Sequence, residues 1–160
     1  MFTLRKEELS FVERAPMVAQ EAVVVDAAAS RVWPAFAEAS AWTEWFASVR
    51  TVRYTSPEPH GMGSTRFVHV GGFKVHEEIL AFDVNERFAF CVVKANLPLL
   101  KAMVEVITLT PAGDGTRVTY RQALDPQPWI KPVLGRFRRQ LQRDLQAGLA
   151  GLGPWLARRP

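Results

Sequence analysis

The sequence predicts an α+β fold in which a curved, seven-stranded antiparallel sheet wraps around one long C-terminal helix. Three observations lead to this prediction. Residues 49–124 alternate between apolar and polar side chains, and short turn sequences interrupt them. Residues 132–155 carry one apolar stripe at helical spacing. Two short apolar helices are predicted directly after the first strand, within residues 30–47.

The first part of the chain contains a lead-in, a strand and the two short helices. Residues 1–16 have mixed charge, and their pattern favours no particular structure. Residues 17–25 (MVAQEAVVV) are rich in β-branched residues and predict a strand. The stretches SRVWPAFAEAS and AWTEWFA predict the helices, with Pro34 in a first turn, where its missing N–H costs little. We therefore divide the chain into an N-terminal extension, residues 1–16, and one domain, residues 17–160.

Six further strands are predicted in the middle of the chain. The breaks between them have turn chemistry: PEPHGMG, GG, DVNE, NLP and AGDG. Successive strands with such short connections form an antiparallel meander. The predicted strands are residues 49–55, 64–70, 73–82, 87–95, 102–110 and 116–124.

Residues 132–155 predict a single long helix with one apolar side. A sheet with one apolar face needs a matching apolar surface, and this helix supplies it. A strongly twisted sheet curls around such a helix, and the two short helices then close one end. The stripe consists of Leu134, Phe137, Leu141, Leu145, Leu149 and Leu152.

The composition is that of one globular domain in a reducing compartment. Of the 160 residues, 48% are hydrophobic and 22% are charged. The single cysteine, Cys91, excludes an intramolecular disulfide. The N-terminus lacks the apolar region of a signal peptide, and no apolar stretch approaches the roughly 18 residues of a membrane span. We therefore expect a cytoplasmic protein without a transmembrane segment.

The net charge of +4 is concentrated in the C-terminal helix. From Lys131 onward there are seven basic residues and one acid, Asp144. Since the basicity belongs to one helix rather than to the whole surface, no nucleic-acid partner is expected. Two interpretations of the helix stay open, namely a solvated face and a surface for an anionic partner such as membrane or RNA.

The turn between the predicted third and fourth strands determines their register. Gly71 and Gly72 fit a two-residue hairpin turn, which places Arg66 opposite Glu77. A slip by one residue would exchange the two faces of a strand. With this register, both charged residues lie on the face that points toward the helix.

The last hairpin is treated in the same way. The loop of residues 112–115 places Glu105 opposite Gln122, and Ile107 opposite Tyr120. These four residues share the helix-facing side with the charged pair of the earlier hairpin. The inner face is therefore a broad apolar and aromatic wall that contains three charged residues.

These three charges, Arg66, Glu77 and Glu105, have two interpretations. Burying an unpaired charge is costly, so each one must be paired, hydrated or in contact with a polar ligand. In the first interpretation Arg66 and Glu77 form an ion pair near the sheet edge, reached by water. In the second, Arg66 binds a polar oxygen of a ligand, because a guanidinium can grip a carbonyl or enolate. The groups that would orient this ligand are Glu77, Glu105 and Tyr120.

Two stretches of the chain resemble a known superfamily. EAVVVDAAASRVWPAFAEASAWTEWFASVRTVRY resembles the opening of START-like proteins, and residues 28–33 and 42–46 carry the likeness. DGTRVTYRQALD, residues 114–125, followed by a long amphipathic helix, looks like their ending. The chain is thus identified as a member of the START-like, polyketide cyclase–dehydrase and lipid-transport superfamily (SRPBCC proteins, helix-grip fold), over residues 17–157.

The resemblance implies a cavity between the curled sheet and the long helix. In this superfamily such a cavity holds lipids, polyketides, hormones or other apolar compounds, and we expect about 300–1,000 Å³. Aromatase/cyclase members of this superfamily share an arginine on a cavity-lining strand, where it polarises a polyketide carbonyl. Arg66, in STRFVHV, is the candidate match here.

The leading prediction is the binding of a hydrophobic small molecule, such as a lipid, a quinone or a polyketide-like aromatic. One alternative is a cyclase/aromatase-type enzyme that uses Arg66 as electrophile. The acid/base groups would then be Glu77, Glu105 or Tyr120. A second alternative is an interaction module for a protein, RNA or membrane partner. The expected ligand-binding residues are Trp33, Trp45, Arg66, Val68, Val75, Glu77, Phe88, Phe90, Met103, Glu105, Tyr120, Gln122, Phe137 and Leu141.

No cofactor or metal site is expected. The sequence contains no phosphate loop, nucleophile elbow or dinucleotide fingerprint. Two of the three histidines, His69 and His76, fall on the outer sheet face without a third ligand. Phe67, Leu80 and Phe82 are also placed on the outer face, which predicts either packing under the N-terminal segment or a homodimer contact.

Overall fold

The computed structural model describes residues 1–159 and confirms the α+β, helix-grip architecture. The strands are β1 (Phe2–Thr3), β2 (Met17–Val25), β3 (Val49–Tyr54), β4 (Thr65–Val70), β5 (Phe73–Asp83), β6 (Arg87–Ala95), β7 (Leu100–Ala112) and β8 (Gly115–Pro126). The helices are α1 (Ala29–Val32), α2 (Pro34–Ala37), α3 (Trp42–Trp45), α4 (Leu134–Leu149) and α5 (Leu152–Ala157). Short 3-10 helices cover Leu9–Glu13, Ala39–Ala41 and Pro128–Val133.

The strands form one antiparallel sheet in the order β2-β8-β7-β6-β5-β4-β3, and β1 pairs with β6. Helix α4 packs against this sheet, and the two enclose the main apolar core. Over residues 1–159, no helix combines the length and the apolar character needed to cross a membrane.

Both predicted hairpin registers are confirmed. Arg66 pairs with Glu77 across β4 and β5, and Glu105 pairs with Gln122 across β7 and β8. Gly71 has a φ of 55°, in the left-handed region that glycine adopts without strain. Short turns of this kind permit few registers, which is why the sequence is sufficient to predict the pairing.

The pairing of β5 with β6 contains bulges that the alternation pattern does not show. One lies between Ile79 and Ala81, where the register shifts by a residue. Beyond it, Phe82 points inward, and its ring lies 5.3 Å from the ring of Trp33 and 5.8 Å from that of Phe88. The prediction that Phe82 faces outward is therefore wrong.

The N-terminal lead-in covers part of the outer sheet face. Its 3-10 helix places Phe11, only 3% exposed, in a second small core with Cys91. Leu80 packs against this cluster, so it lies under the N-terminal segment, in line with one of the two predicted alternatives. Phe67 remains on the outer face, where the Arg53 guanidinium lies 4.8 Å from its ring centre.

The C-terminal helix is shorter than the predicted span of residues 132–155, because it divides into α4 and α5. Pro154 has no N–H to donate to the carbonyl of Ala150, so one continuous helix cannot pass through this point. At Gly151 a Cβ would overlap the carbonyl oxygen of Trp45. The break therefore lets the backbone after α4 approach α3 closely.

The short helices between β2 and β3 close one end of the core. Pro34 occupies the first position of α2, so the predicted first helix is divided into two single turns. The indole N–H of Trp42 donates to the carbonyl of Phe36 at 2.9 Å, and that of Trp45 donates to the carbonyl of Ala35 at 2.8 Å. Both indoles are thus fixed by the backbone that precedes them.

Candidate ligand cavity

A cavity lies between the inner face of the sheet and α4, with walls that are mostly apolar. Its lining includes Gly71 and Gly72 of the β4–β5 turn and Leu97 of the β6–β7 loop, all of which are exposed. The cavity therefore opens at this end of the sheet. Trp42 and Tyr120, which are buried, form part of the inner lining.

The cavity volume is about 200 Å³. This is smaller than the predicted range of about 300–1,000 Å³. The difference arises because the large rings of Trp42 and Phe46 occupy the space between sheet and helix, each with its centre within 6.4 Å of the Tyr120 ring. Phe137 and Leu141, on the first turns of α4, line the cavity and are only partly buried.

Most residues predicted to bind ligand line this cavity. The inner-face parity of the strands brings nine of them together, because alternate residues of neighbouring strands point to the same side, and α4 supplies the other two. The eleven are Arg66, Val68, Val75, Glu77, Phe90, Met103, Glu105, Tyr120, Gln122, Phe137 and Leu141.

Three predicted residues lie outside the lining: Trp33, Trp45 and Phe88. Trp33 stands edge-on to Phe88, with ring centres 6.1 Å apart, at the end of the core that α1 and α2 cover. Trp45 is 2% exposed and packs against Phe36, with ring centres 5.6 Å apart. These side chains support the cavity wall from behind.

Three aromatic residues of the lining, Trp42, Phe46 and Phe73, are absent from the predicted ligand-binding residues. Three tryptophans near one another made the choice between them ambiguous. The spacing holds a usable signal, because Trp42 and Phe46 lie four residues apart and therefore on one side of a helical turn. In the structure their ring centres are 6.3 Å apart.

Arg66 and Glu77 form an ion pair inside the protein. Arg66 Nε donates a hydrogen bond to Glu77 Oε2 at 2.7 Å. The residues are 1% and 3% exposed, respectively. The pair that the first interpretation proposed therefore exists, and Arg66 lies one strand in from the edge strand β3. The expectation that water reaches the pair is wrong, because both side chains are almost entirely buried.

Aromatic rings surround the guanidinium of Arg66. Its Cζ atom lies 4.6 Å from the ring centre of Phe90, 5.0 Å from that of Phe88 and 5.0 Å from that of Trp42. Each ring face carries partial negative charge, so these contacts offset part of the cost of burying the cation. They also hold the planar guanidinium in one orientation.

One nitrogen of this guanidinium lacks a partner. Arg66 Nη1 is buried and makes no hydrogen bond with any of residues 1–159. Gln122 Oε1 is also buried without a hydrogen-bond partner, and Arg66 and Gln122 both line the cavity. Buried polar atoms are nearly always hydrogen-bonded, so a buried donor and a buried acceptor without partners are unusual, and both belong to side chains of the cavity wall.

Glu105 forms a second polar cluster on the same wall. Its Oε1 accepts hydrogen bonds from Tyr120 Oη at 2.9 Å and from Gln122 Nε2 at 2.8 Å. Glu105 is 7% exposed and Tyr120 is 3% exposed. Adjacent strand positions hold the three groups, since β7 and β8 pair Glu105 directly with Gln122.

Burial changes the acidity of this cluster. It raises the pKa of Glu105 to about 7, with a further contribution from the negative charge of Glu77, while the bonds from Gln122 and Tyr120 and the charge of Arg66 act in the opposite direction. Burial, followed by the charge of Glu105, raises the pKa of Tyr120 well above its ordinary value. Burial also raises the pKa of Glu77, and Arg66 opposes this effect.

These groups combine a fixed cation with a carboxyl group that exchanges a proton near neutral pH. The cation can stabilise an oxygen that carries negative charge, because it lies among rings and away from bulk water. A carboxyl group with a pKa near 7 can accept or donate a proton. Across the described chain, no cluster of three or more His, Cys, Asp or Glu side chains is suited to hold a metal ion.

Comparison with known families gives a match over most of the chain. The model of the family described as "Polyketide cyclase / dehydrase and lipid transport" matches residues 17–154. The chain belongs to this family. The resemblance inferred from the sequence is thereby confirmed, for the family and for the fold.

The relatives of this chain include a protein described as uncharacterised. A protein of Mycobacterium tuberculosis is 29% identical over 153 residues, which cover 95% of this chain and 92% of that protein. An aromatase/cyclase of Streptomyces sp. R1128 has a similar fold, with a TM-score of 0.74, 16% identity and coverage of 89% and 94% of the two chains. A protein of Thermus thermophilus gives a TM-score of 0.74, 15% identity and coverage of 89% and 98%. At these identities the solved structures support the fold alone.

Proposed function

We propose that this protein binds a hydrophobic small molecule, such as a lipid, a quinone or a polyketide-like aromatic, in the cavity between the sheet and α4. The observation that carries the proposal is the unpartnered Arg66 Nη1 on an otherwise mainly apolar wall. An apolar body would contact the aliphatic and aromatic side chains. A carbonyl, phenol or carboxylate oxygen would accept a hydrogen bond from Nη1.

The proposed ligand therefore has a polar end and an apolar body. A hydrogen bond to a charged donor contributes more than one between neutral groups, and a buried site strengthens it. Gln122 Oε1 would accept a bond from a hydroxyl of the same ligand. A ligand larger than the present space of about 200 Å³ requires the partly buried Phe137 and Leu141 to move outward.

Ligand binding is tested by two complementary measurements. Native mass spectrometry of the protein purified from its own host is expected to show an additional, non-covalent mass. Thermal unfolding with a panel of fatty acids, quinones and aromatic polyketide analogues is expected to show a rise in Tm for compounds that carry a terminal oxygen. No bound mass together with no Tm shift across the panel would contradict the proposal.

A cyclase/aromatase-type enzyme is the second candidate, and the position of Glu105 favours it. Its carboxyl group has a pKa of about 7 and lies on the wall that also holds Arg66. Arg66 would stabilise an enolate oxygen of the substrate while Glu105 accepts the proton from the adjacent carbon. Tyr120 and Glu77 would hold these two groups in place through the hydrogen bonds described above.

The enzymatic candidate is tested with Glu105→Gln, which preserves the shape and the acceptor oxygen. Cyclisation of a poly-β-ketone analogue is expected to fall by about 100-fold or more, a typical contribution of one general acid or base. Ligand binding by the same variant should persist. Unchanged turnover in Glu105→Gln would remove Glu105 from the mechanism.

We propose a cytoplasmic location and no nucleic-acid partner. The support for the location is the single cysteine, Cys91, which is buried and has no second cysteine with which to form a disulfide. A fractionation experiment in the native host that found the protein outside the cytoplasm would contradict the first of these statements.

A further inference from the structure

Several large apolar side chains are exposed at one end of the molecule. The exposed fractions are 59% for Met1, 50% for Phe2, 38% for Leu97, 60% for Trp129 and 48% for Val133. Among the described residues, these five account for most of the large hydrophobic side chains that are exposed. Single exposed apolar residues are ordinary, but a group of them marks an interaction surface.

Backbone and side-chain contacts bring these residues together. Phe2 pairs with Ala95 at the end of β6, two residues before Leu97. Trp129 Nε1 donates a hydrogen bond to the carbonyl of Pro98 at 3.0 Å, and Val133 follows in the same 3-10 helix as Trp129. We call this group, Met1, Phe2, Leu97, Trp129 and Val133, the mouth patch.

The mouth patch lies beside the opening of the cavity. Leu97 belongs to both, and Leu4, which follows β1, also lines the cavity. The Asn96 side chain connects the loop that carries Leu97 to the adjacent glycine turn of the rim, because its Nδ2 donates to the carbonyl of Gly72 at 3.2 Å. The patch and the opening thus form one surface.

Basic residues surround this surface. Residues 70–76, 94–101 and 127–144, which contain the rim turns and most of α4, carry eight basic residues and one acidic residue, Asp144, which also lines the cavity. All eight are exposed, and none forms an ion pair with any part of the described chain. They are Lys74, Lys94, Lys101, Lys131, Arg136, Arg138, Arg139 and Arg143.

We infer that the mouth patch docks on the surface of an anionic phospholipid bilayer. Exposed Trp and Phe beside aliphatic side chains are typical anchors for the interfacial region of a bilayer. Basic residues beside an anionic leaflet are attracted to its negative surface potential. RNA would need a row of stacking aromatic rings along a basic groove, whereas Met1, Leu97 and Val133 are aliphatic and cannot stack on bases.

Docking in this orientation would place the cavity opening against the lipid. The first turns of α4 carry Phe137 and Leu141 on the cavity side, both partly buried. An apolar molecule could then pass between bilayer and cavity without crossing water. The docking surface does not depend on the proposed ligand, so the two proposals can fail separately.

Vesicle flotation tests the inference directly. The full-length protein is mixed with phosphatidylcholine vesicles that contain or lack phosphatidylglycerol. Binding to the anionic vesicles, weak binding to the neutral ones and loss of binding at high salt are expected, since the Debye length falls from about 10 Å at 0.1 M to about 3 Å at 1 M. Absence of binding to anionic vesicles at low salt would overturn the inference.

Matched charge reversals separate the mouth patch from net charge. Lys131→Glu/Arg136→Glu is expected to reduce partitioning onto anionic vesicles by at least about tenfold. Arg87→Glu/Arg117→Glu changes the net charge equally, at exposed positions beside the β5–β6 and β7–β8 turns at the other end of the sheet, and should keep near-native binding. An equal loss in both double variants would overturn the inference.

Trp129 reports on the contact itself. It is the exposed tryptophan of the described chain, so its fluorescence should shift to shorter wavelength on anionic vesicles. Trp129→Ala is expected to lose this shift and to bind vesicles several-fold more weakly, with unchanged circular dichroism. Native affinity for vesicles in Trp129→Ala, or tighter binding of the wild-type protein to RNA than to anionic vesicles, would contradict the proposal.

Discussion

Arg66 Nε donates a 2.7 Å hydrogen bond to Glu77 Oε2 on the neighbouring strand, and both side chains are almost entirely buried. The pair is neutral as a unit, so it can exist within an apolar wall. The pair uses Arg66 Nε, and the buried Nη1 makes no hydrogen bond with any of residues 1–159. Arg66 therefore has a structural role through its pair with Glu77 and, in the proposed function, a ligand-binding role through Nη1.

Removing one member of this pair should cost more stability than removing both. Glu77→Gln leaves a buried guanidinium without a counter-charge, and a loss of about 3–5 kcal/mol in the free energy of unfolding is expected. Arg66→Met/Glu77→Gln removes both charges and should lose much less. Urea unfolding of the single and double variants measures this, and additive losses in the double variant would contradict the description of the two residues as a coupled pair.

Stability should fall as the pH rises through neutrality because of Glu105. Its pKa is raised from 4.5 to about 7 in the folded protein, so the folded state binds the proton more tightly than the unfolded state. This contribution is fully present below about pH 4.5 and is lost as the pH rises through about 7, a change of up to about 3 kcal/mol. Urea unfolding between pH 4.5 and 8 should show this fall.

Glu105→Gln provides the control for the pH dependence. The amide does not ionise, so the difference in stability between wild type and Glu105→Gln should change with pH over the same window. A difference that stays constant between pH 4.5 and 8 would mean that Glu105 titrates at its ordinary value.

The two neighbouring tryptophans of α3 provide a matched test of the cavity. Both are buried and both donate to a backbone carbonyl, but Trp42 lines the cavity and Trp45 does not. Trp42→Phe should weaken ligand binding at least several-fold, whereas Trp45→Phe should leave it near the native value. Isothermal titration with a compound from the Tm panel measures both. Equal losses would show that general destabilisation, rather than cavity contact, decides the affinity.

Alanine substitutions at two glycines of the C-terminal segment should change the free energy of unfolding differently. At Gly151 a Cβ would overlap the Trp45 carbonyl oxygen, so Gly151→Ala should lower the free energy of unfolding by about 1–3 kcal/mol. At Gly153, inside α5, no atom lies within 4 Å of such a Cβ. Gly153→Ala should therefore be neutral or stabilise by up to about 1 kcal/mol. Thermal unfolding separates the two, and similar effects would argue against the close approach of α3 to the helix break.

The faces of the strands could be predicted where a short turn fixed the register. The two-residue turn at Gly71 and Gly72 was sufficient to place Arg66 opposite Glu77. Phe82 was misplaced because a bulge adds one residue to one strand and leaves no mark in the alternation of polar and apolar residues. The register was thus predictable where the paired strands are regular, as at Glu105 and Gln122, and not across the β-bulge of β5.

The helices show a second limit of what the sequence alone can predict. The stripe from Leu134 to Leu152 continues at helical spacing, although the helix divides before Leu152. Pro154 could have indicated the break, since proline interrupts a helix at the residues that precede it. The choice of Trp42 over Trp45 depends on how α3 is rotated, which tertiary packing decides.

The most direct test of the central claim is an experimental structure of the protein in complex with a compound that raises its Tm. The ligand should lie between the sheet and α4, with an oxygen within hydrogen-bonding distance, about 2.7–3.2 Å, of Arg66 Nη1. A ligand bound elsewhere, or one in this cavity whose polar end points away from Arg66, would contradict the claim.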